Sequence, residues 1–122
     1  MYFPISEWFP AFLLTLAVEA PIVLLLVRRA EPDLFRLAVI VLFANLATHL
    51  AVWYVITQLL LVGSWQYLVV AESWAVAAEA IVYWAALRGL RLTSAAVVAT
   101  VANLASFAAG RALAALWPHV FG

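Results

Sequence analysis

The sequence predicts an all-α membrane protein: four transmembrane helices, arranged as two tandem, parallel-oriented helical-hairpin repeats, with the N and C termini outside. Three observations lead to this fold class. Hydrophobic residues make up 70% of the 122 residues and only 10% are charged, and the mean hydropathy is +1.15. Four apolar stretches reach the roughly 20 residues that a helix needs to cross about 30 Å of hydrocarbon. Short polar motifs recur in the same order in both halves of the chain.

The first two helices are predicted over about 8–27 and about 37–62. The stretch between them, RRAEPDLFR, carries both charge signs and a proline, which favours a loop. Glu7 precedes the first apolar run and arginines follow it. A cleavable signal peptide has the opposite order, so this segment is predicted to be an anchor whose N-terminus is outside.

The last two helices are predicted over about 65–87 and about 92–117. Gly63-Ser64 is so short a break that the second and third helices must form an antiparallel hairpin. The stretch RGLR at 88–91 separates the third helix from the fourth, which is rich in alanine and is interrupted by Arg111. The whole chain, 1–122, is thus predicted to be a single membrane domain.

The arginines indicate how the helices are oriented. They flank the first and third connections, whereas the second connection is uncharged. By the positive-inside rule, the two arginine-flanked connections are predicted to be cytoplasmic. Three tryptophans then fall at the outer interface, where amphipathic rings prefer to lie: Trp8, Trp65 and Trp117.

Two pairs of matching stretches indicate an internal duplication. AVEAPIV (17–23) resembles AAEAIVY (77–83), and FANLATH (43–49) resembles VANLASF (101–107). Alanine and leucine are abundant, so chance is the alternative, but Glu and Asn are rare here and recur in order. We therefore predict repeat 1 over about 8–62 and repeat 2 over about 65–117. Their pseudo-twofold axis would lie along the membrane normal.

The repeated polar residues form a candidate substrate- or ion-binding site. At about 1.5 Å per helical residue, counted from the outer ends, four of them share one depth near the midplane. Spacings of three and four residues place others on the same helix faces. The candidate residues are Glu19, Asn45, Thr48, His49, Glu79, Asn103 and Ser106.

Intramembrane acids normally face the protein interior, so Glu19 and Glu79 are predicted to face each other. Two ionised carboxylates would repel, and we expect one to hold a proton, or a cation or His49 to lie between them. In this hypothesis the glutamates titrate, His49 is a proton partner, and Asn45 and Asn103 orient the acids. The structural alternative is that the amides and hydroxyls only hydrogen-bond the helices together.

Glu72 and Arg111 fall at similar depth in the outer half of neighbouring helices. We predict an ion pair between them, which is weak evidence of stability but costly to break. An outer gate or an anion contact is the alternative.

Metal and cofactor binding are left open by the sequence. Glu19, His49 and Glu79 could supply three metal ligands, and His49 could bind a haem non-covalently. The Glu-x-x-His spacing of di-iron bundles and the H-E-x-x-H motif are both absent. Without cysteine, disulfides, thiolate sites and thiol nucleophiles are excluded. No cofactor is assigned.

The preferred function is binding or transport of a small cation or a proton-coupled solute. The first alternative is an accessory or scaffold subunit of a larger membrane complex, and the second is a small metal- or cofactor-binding membrane enzyme. Four helices enclose little space, so a homodimer or a place in a membrane complex is expected, with the lipid bilayer as the surroundings. Zero net charge without a basic run argues against a nucleic-acid partner.

E-A-P at 19–21, N-L-A-T-H at 45–49 and the paired glutamates of the third helix, Glu72 and Glu79, resemble small bacterial four-helix integral membrane proteins of unknown function. Those proteins carry an N-L-x-T-[HN] stretch followed by proline and an aromatic residue. Here Leu50 stands at the proline position and Trp53 supplies the aromatic ring. The predicted location is the bacterial inner (cytoplasmic) membrane, as a multi-pass protein. The resemblance implies no activity, but it supports a single site made of these residues: Glu19, Asn45, Thr48, His49, Glu72 and Glu79.

Overall fold

The computed structural model describes residues 5–121, which form four long helices and one short one. The long helices are α1 (Ile5–Val27), α2 (Leu34–Leu59), α3 (Trp65–Ala86) and α4 (Leu92–Leu116). A last short helix, α5, covers Pro118–Phe121. Each long helix is long and apolar enough to cross a membrane. The predicted all-helical class with four helices able to span a membrane is confirmed, and the predicted helix ends lie within three residues of those observed.

The four long helices form a ring in sequence order. Each packs against the helix before and after it, and α1 closes the ring by packing against α4. Because the connections are short, neighbouring helices are antiparallel. The start of α1, the α2–α3 turn and the end of α4 therefore lie together at what we call the turn end. The two arginine-rich connections lie at the opposite, arginine end.

The α2–α3 turn depends on one glycine. Gly63 has a φ of +88°, in the left-handed region that side chains other than glycine rarely adopt. Ser64 then caps α3, since its Oγ accepts a hydrogen bond of 3.1 Å from the backbone N–H of Tyr67. The tight hairpin predicted from Gly63-Ser64 is formed in this way.

At the arginine end, Asp33 caps α2. Its Oδ1 accepts hydrogen bonds of 3.1 Å from the backbone N–H groups of Phe35 and Arg36. The Arg36 guanidinium forms an ion pair with Glu31 and donates a 3.1 Å hydrogen bond to the carbonyl of Ala86. These contacts fix where α2 begins and join the first connection to the end of α3.

The Asp33 cap gives a first testable prediction. We expect Asp33→Ala to lower the free energy of unfolding by about 1 kcal/mol, because two helix N–H groups lose their acceptor. Asp33→Asn keeps a side-chain oxygen and should cost clearly less. Unfolding by sodium dodecyl sulfate in mixed micelles, followed by circular dichroism, measures both. Equal losses in the two variants would contradict a capping role.

The half of the bundle toward the arginine end is filled by apolar side chains. On α4 the buried positions include three alanines, which allow close helix approach. Tyr83 of α3 and Leu87, which directly follows α3, belong to the same core, both at most 1% exposed. The main members of this apolar core are Val23, Val27, Leu37, Val41, Ala44, Ala80, Tyr83, Leu87, Ala95, Ala99 and Ala102.

One turn of α2 is not α-helical. Val52–Ile56 forms a π-helical segment, and α-helix resumes at Thr57. The Thr57 hydroxyl donates a 2.5 Å hydrogen bond to the carbonyl of Trp53. Such bulges widen a helix and are frequent at functional sites. The sequence analysis did not anticipate this one, because an apolar run such as VWYVI carries no distinctive signal for it.

Candidate functional site

A cavity of about 360 Å³ lies in the half of the bundle toward the turn end. All four long helices contribute to its wall. Of the nine residues proposed from the sequence as binding or gating residues, all except Asn45 line it. The apolar core fills the opposite half of the bundle, so the polar space is confined to one half of the molecule.

Glu79 is buried at the inner part of this cavity, with 1% of its surface exposed. Its Oε2 accepts a 2.8 Å hydrogen bond from Nδ2 of Asn103 on α4. Its Oε1 lies 3.2 Å from the Thr48 hydroxyl of α2. Glu79 is therefore held by polar groups from both helices that neighbour α3.

Glu19 is fully buried on α1. The Ser106 hydroxyl of α4 donates a 2.7 Å hydrogen bond to its Oε1. Glu19 and Glu79 line the same cavity. That their carboxyl groups face each other stays a prediction.

The contacts of the two acids follow one pattern. Thr48 of α2 reaches Glu79 of α3, and Ser106 of α4 reaches Glu19 of α1. Both asparagines donate from Nδ2 to the carbonyl four residues earlier, at 3.1 Å for Asn45 and 2.8 Å for Asn103. The carboxyl group of each acid is thus contacted by a hydroxyl group from the other half of the chain.

Each of these hydroxyls has two oxygens within hydrogen-bond distance. The Thr48 hydroxyl lies 3.1 Å from the carbonyl of Asn45, and the Ser106 hydroxyl lies 3.0 Å from that of Asn103. A hydroxyl has one proton to donate and can also accept. When the carboxyl is ionised, the hydroxyl can donate to it. When the carboxyl is protonated, it can donate to the hydroxyl, which then donates to the backbone. The arrangement suits both protonation states.

Two acceptors near Glu19 have no donor. Within residues 5–121, neither Oε2 of Glu19 nor Oδ1 of Asn45 has a hydrogen-bond partner, although both atoms are buried. The second half differs, because there Asn103 donates to the remaining oxygen of Glu79. Buried acceptors without a donor are costly, and Glu19 is the acid that a further donor would satisfy.

His49 lines the cavity, but its ring forms no hydrogen bond with Glu19 or Glu79. Its ring packs edge-on against Phe12, with the centroids 5.5 Å apart, and Phe12 stacks on Trp8 at 5.2 Å. The buried Nδ1 has no hydrogen-bond partner in the described part of the chain. Its role as a proton partner of the glutamates stays a prediction.

Glu72 and Arg111 face the same cavity without forming an ion pair. Among the residues that the structure describes, no contact of 4 Å or less joins their charged groups, and the Arg111 side chain is exposed. The two residues share the wall as separate charges. The gate or anion contact considered from the sequence therefore stays a prediction.

The three candidate metal ligands are not gathered into a metal site. Across residues 5–121, no group of three or more histidine, aspartate or glutamate side chains is placed to hold an ion. Glu19 and Glu79 are engaged by amide and hydroxyl groups, while His49 packs against an aromatic ring.

The candidate site predicted from the sequence did not include the aromatic residues near the acids. Trp53, Tyr67 and Phe107 line the cavity, and Tyr83 is fully buried in the apolar core, one helical turn from Glu79. The spacing of four residues between Glu79 and Tyr83 could have placed this phenol near the acid. Neither Trp53 nor Tyr67 carries a comparable signal, since interfacial aromatic residues are common in membrane helices.

The Tyr83 hydroxyl gives a second prediction, since it is buried and has no hydrogen-bond partner among the described residues. We expect Tyr83→Phe to leave the free energy of unfolding unchanged or to raise it by about 1 kcal/mol, because a desolvated, unpartnered hydroxyl is removed. The same unfolding titration measures it. A loss of stability larger than that of Asp33→Ala would show that the hydroxyl bonds to a group within the site.

Searches against protein-family models, curated proteins and solved structures gave no match for this chain.

Proposed function

We propose that this protein binds a proton or a small cation at Glu19 and Glu79 and uses the site to carry a proton-coupled solute or cation across the membrane. The observation that carries the proposal is the buried acid pair, in which each carboxyl group contacts a hydroxyl that can either donate to it or accept from it. Hydrogen bonds that served only to hold the helices together would need to form in only one protonation state of the carboxyl groups.

The charge of the acid pair supports the same proposal. Within the described residues, the one ion pair joins Arg36 and Glu31 at the arginine end, and no cationic side chain bonds to either buried acid. An uncompensated carboxylate in a membrane interior is expensive. A proton or a bound cation is the remaining way to neutralise Glu19 and Glu79.

We propose that the site arose by duplication of one helical hairpin. The crossed hydroxyl contacts support this, because Thr48 and Ser106 occupy matching positions of the two repeats. The burial pattern supports it too, since matching core positions are at most 1% exposed in both halves. These matching positions are Val23 and Tyr83, Val27 and Leu87, Leu37 and Ala95, and Val41 and Ala99.

In the orientation favoured by the arginines, the cavity would face the outside of a bacterial inner membrane. The apolar core would then separate the acids from the cytoplasm. Carrying a solute would require this half to rearrange, or a second copy to complete a pathway, which is why a homodimer remains part of the proposal.

The proposal is tested by thermal unfolding of the detergent-solubilised protein between about pH 5 and 8, the range where a coupled acid site would titrate. The wild type is compared with Glu19→Gln and Glu79→Gln, and with Glu7→Gln, which changes an exposed acid at the start of α1. We expect a stability change with pH in the wild type and Glu7→Gln that disappears in either buried variant. Identical pH profiles in all four proteins would instead favour helix-joining contacts and the accessory-subunit alternative.

A further inference from the structure

We infer that the natural ligand of this site is a small organic ammonium: an amine with a charged N–H head and an apolar or aromatic body. The inference rests on the proposed cation site and adds the chemical class of its ligand. It follows from the size of the cavity, the unpartnered carboxyl oxygen of Glu19 on its wall and the aromatic side chains that line it.

The cavity is larger than a bare ion requires. Its volume of about 360 Å³ falls at the lower end of the range of roughly 300–1,000 Å³ typical of small-molecule sites. The carboxylates at its inner part are held by Asn103, Thr48 and Ser106. The acids thus mark one end of a space that a larger molecule would fill.

The unpartnered carboxyl oxygen of Glu19 calls for a donor rather than a metal. Oε2 of Glu19 is buried and accepts no hydrogen bond from the described residues, and Glu19 lines the cavity. A protonated primary amine carries up to three N–H donors together with the charge that the acid pair lacks. A metal ion would need converging ligands, and the described His, Asp and Glu side chains provide no such group.

Aromatic side chains would contact both the charged head and the apolar body of the ligand. Trp53, Tyr67 and Phe107 line the cavity from three different helices. Aromatic faces attract cations and offer apolar surface to a hydrocarbon body. The π-helical turn of α2 contains Trp53, so this irregular backbone places an aromatic ring on the cavity wall.

Proton and ammonium should exclude each other at this site, because both neutralise the same carboxyl groups. The other titratable or charged groups that face these acids come from α2, α3 and α4: His49, Tyr67, Glu72, Tyr83 and Arg111. Ammonium binding should therefore release a proton when the pair is protonated, and the apparent affinity should rise with pH. That coupling is what exchange of a proton for an amine requires.

The test is isothermal titration calorimetry of the wild-type protein in detergent with benzylammonium. We use two buffers of different ionisation enthalpy to count the protons released. The comparison ligands are benzyl alcohol, which is neutral, and benzyltrimethylammonium, which is charged but has no N–H. We expect benzylammonium to bind with release of up to about one proton and at least about 10-fold more tightly than either comparison ligand, the factor expected for charge-assisted hydrogen bonds.

Matched variants distinguish binding at the site from uptake of benzylammonium by the surrounding detergent. Glu19→Gln should weaken benzylammonium binding by about 10-fold or more, whereas Glu7→Gln should leave it unchanged. Equal binding of benzylammonium and benzyl alcohol would overturn the inference, as would binding that Glu19→Gln does not affect. If the wild type shows the pH-dependent stability described above but no benzylammonium binding, the ammonium inference fails and the proton site stands. If both signals are missing, both proposals fail.

Discussion

Glu79→Ala is expected to lower the free energy of unfolding by about 3–5 kcal/mol, the largest effect of any single change considered for this protein. The side chain is 1% exposed and lies between α2 and α4. Its removal enlarges the cavity at the bundle centre and deprives Asn103 and Thr48 of a buried partner. Unfolding by sodium dodecyl sulfate in mixed micelles measures the loss.

Glu79→Gln is the matched control for this prediction. Its amide oxygen can accept from Asn103, and its NH₂ group can donate to the Thr48 hydroxyl, which still has the carbonyl of Asn45 as acceptor. We expect a loss below about 1 kcal/mol. Equal losses in the Ala and Gln variants would contradict the hydrogen-bonded position of Glu79. Glu79→Gln could keep the free energy of unfolding of the wild type but lose the pH dependence of its stability. In that case the ionisable group of Glu79 is needed for function, whereas its hydrogen bonds stabilise the fold.

The second large effect concerns the apolar core. We expect Leu37→Ala to cost about 2–4 kcal/mol through the void it leaves, and Ala95→Leu to cost about 1–3 kcal/mol through overpacking. Both residues are fully buried and occupy matching positions of the two proposed repeats. If a pseudo-twofold axis relates them, the double variant keeps the total core volume and exchanges the two sites. It should therefore cost less than the sum of the single changes.

The control for this exchange is Leu42→Ala, on the exposed face of α2. A side chain on the outer surface of the bundle leaves no void when shortened, so we expect a change within about 0.5 kcal/mol. All four variants are compared in one unfolding titration. Strict additivity of Leu37→Ala and Ala95→Leu would mean that the two positions do not share a packing layer, and it would remove one support for the duplication.

Much of the site was predictable, and Glu19 and Glu79 show why. An acid in a long apolar segment must face the protein interior, so hydropathy alone predicts that both are buried. Helical spacing likewise placed Thr48 beside Asn45 on the inner face of α2, where both are buried.

The partners of those residues were not predictable in the same way. Depth along the bundle suggested that Glu72 would pair with Arg111, yet they line one cavity without an ion pair. His49 shares the depth of the glutamates but turns its ring onto Phe12. Depth along a helix is one coordinate, whereas a contact also depends on rotation about the helix axis and on the neighbouring helix.

By itself, the sequence determined the number of helices, their ends to within three residues and the burial of the polar stripe. These features follow from hydropathy and helical periodicity, which are local properties of the chain. The tertiary structure alone decided three others: the crossed contacts from Thr48 to Glu79 and from Ser106 to Glu19, the π-helical turn beside Trp53, and the apolar filling of one half. Each of these depends on how four helices pack together, because a hydrogen bond or a void is fixed by atoms that are distant in sequence.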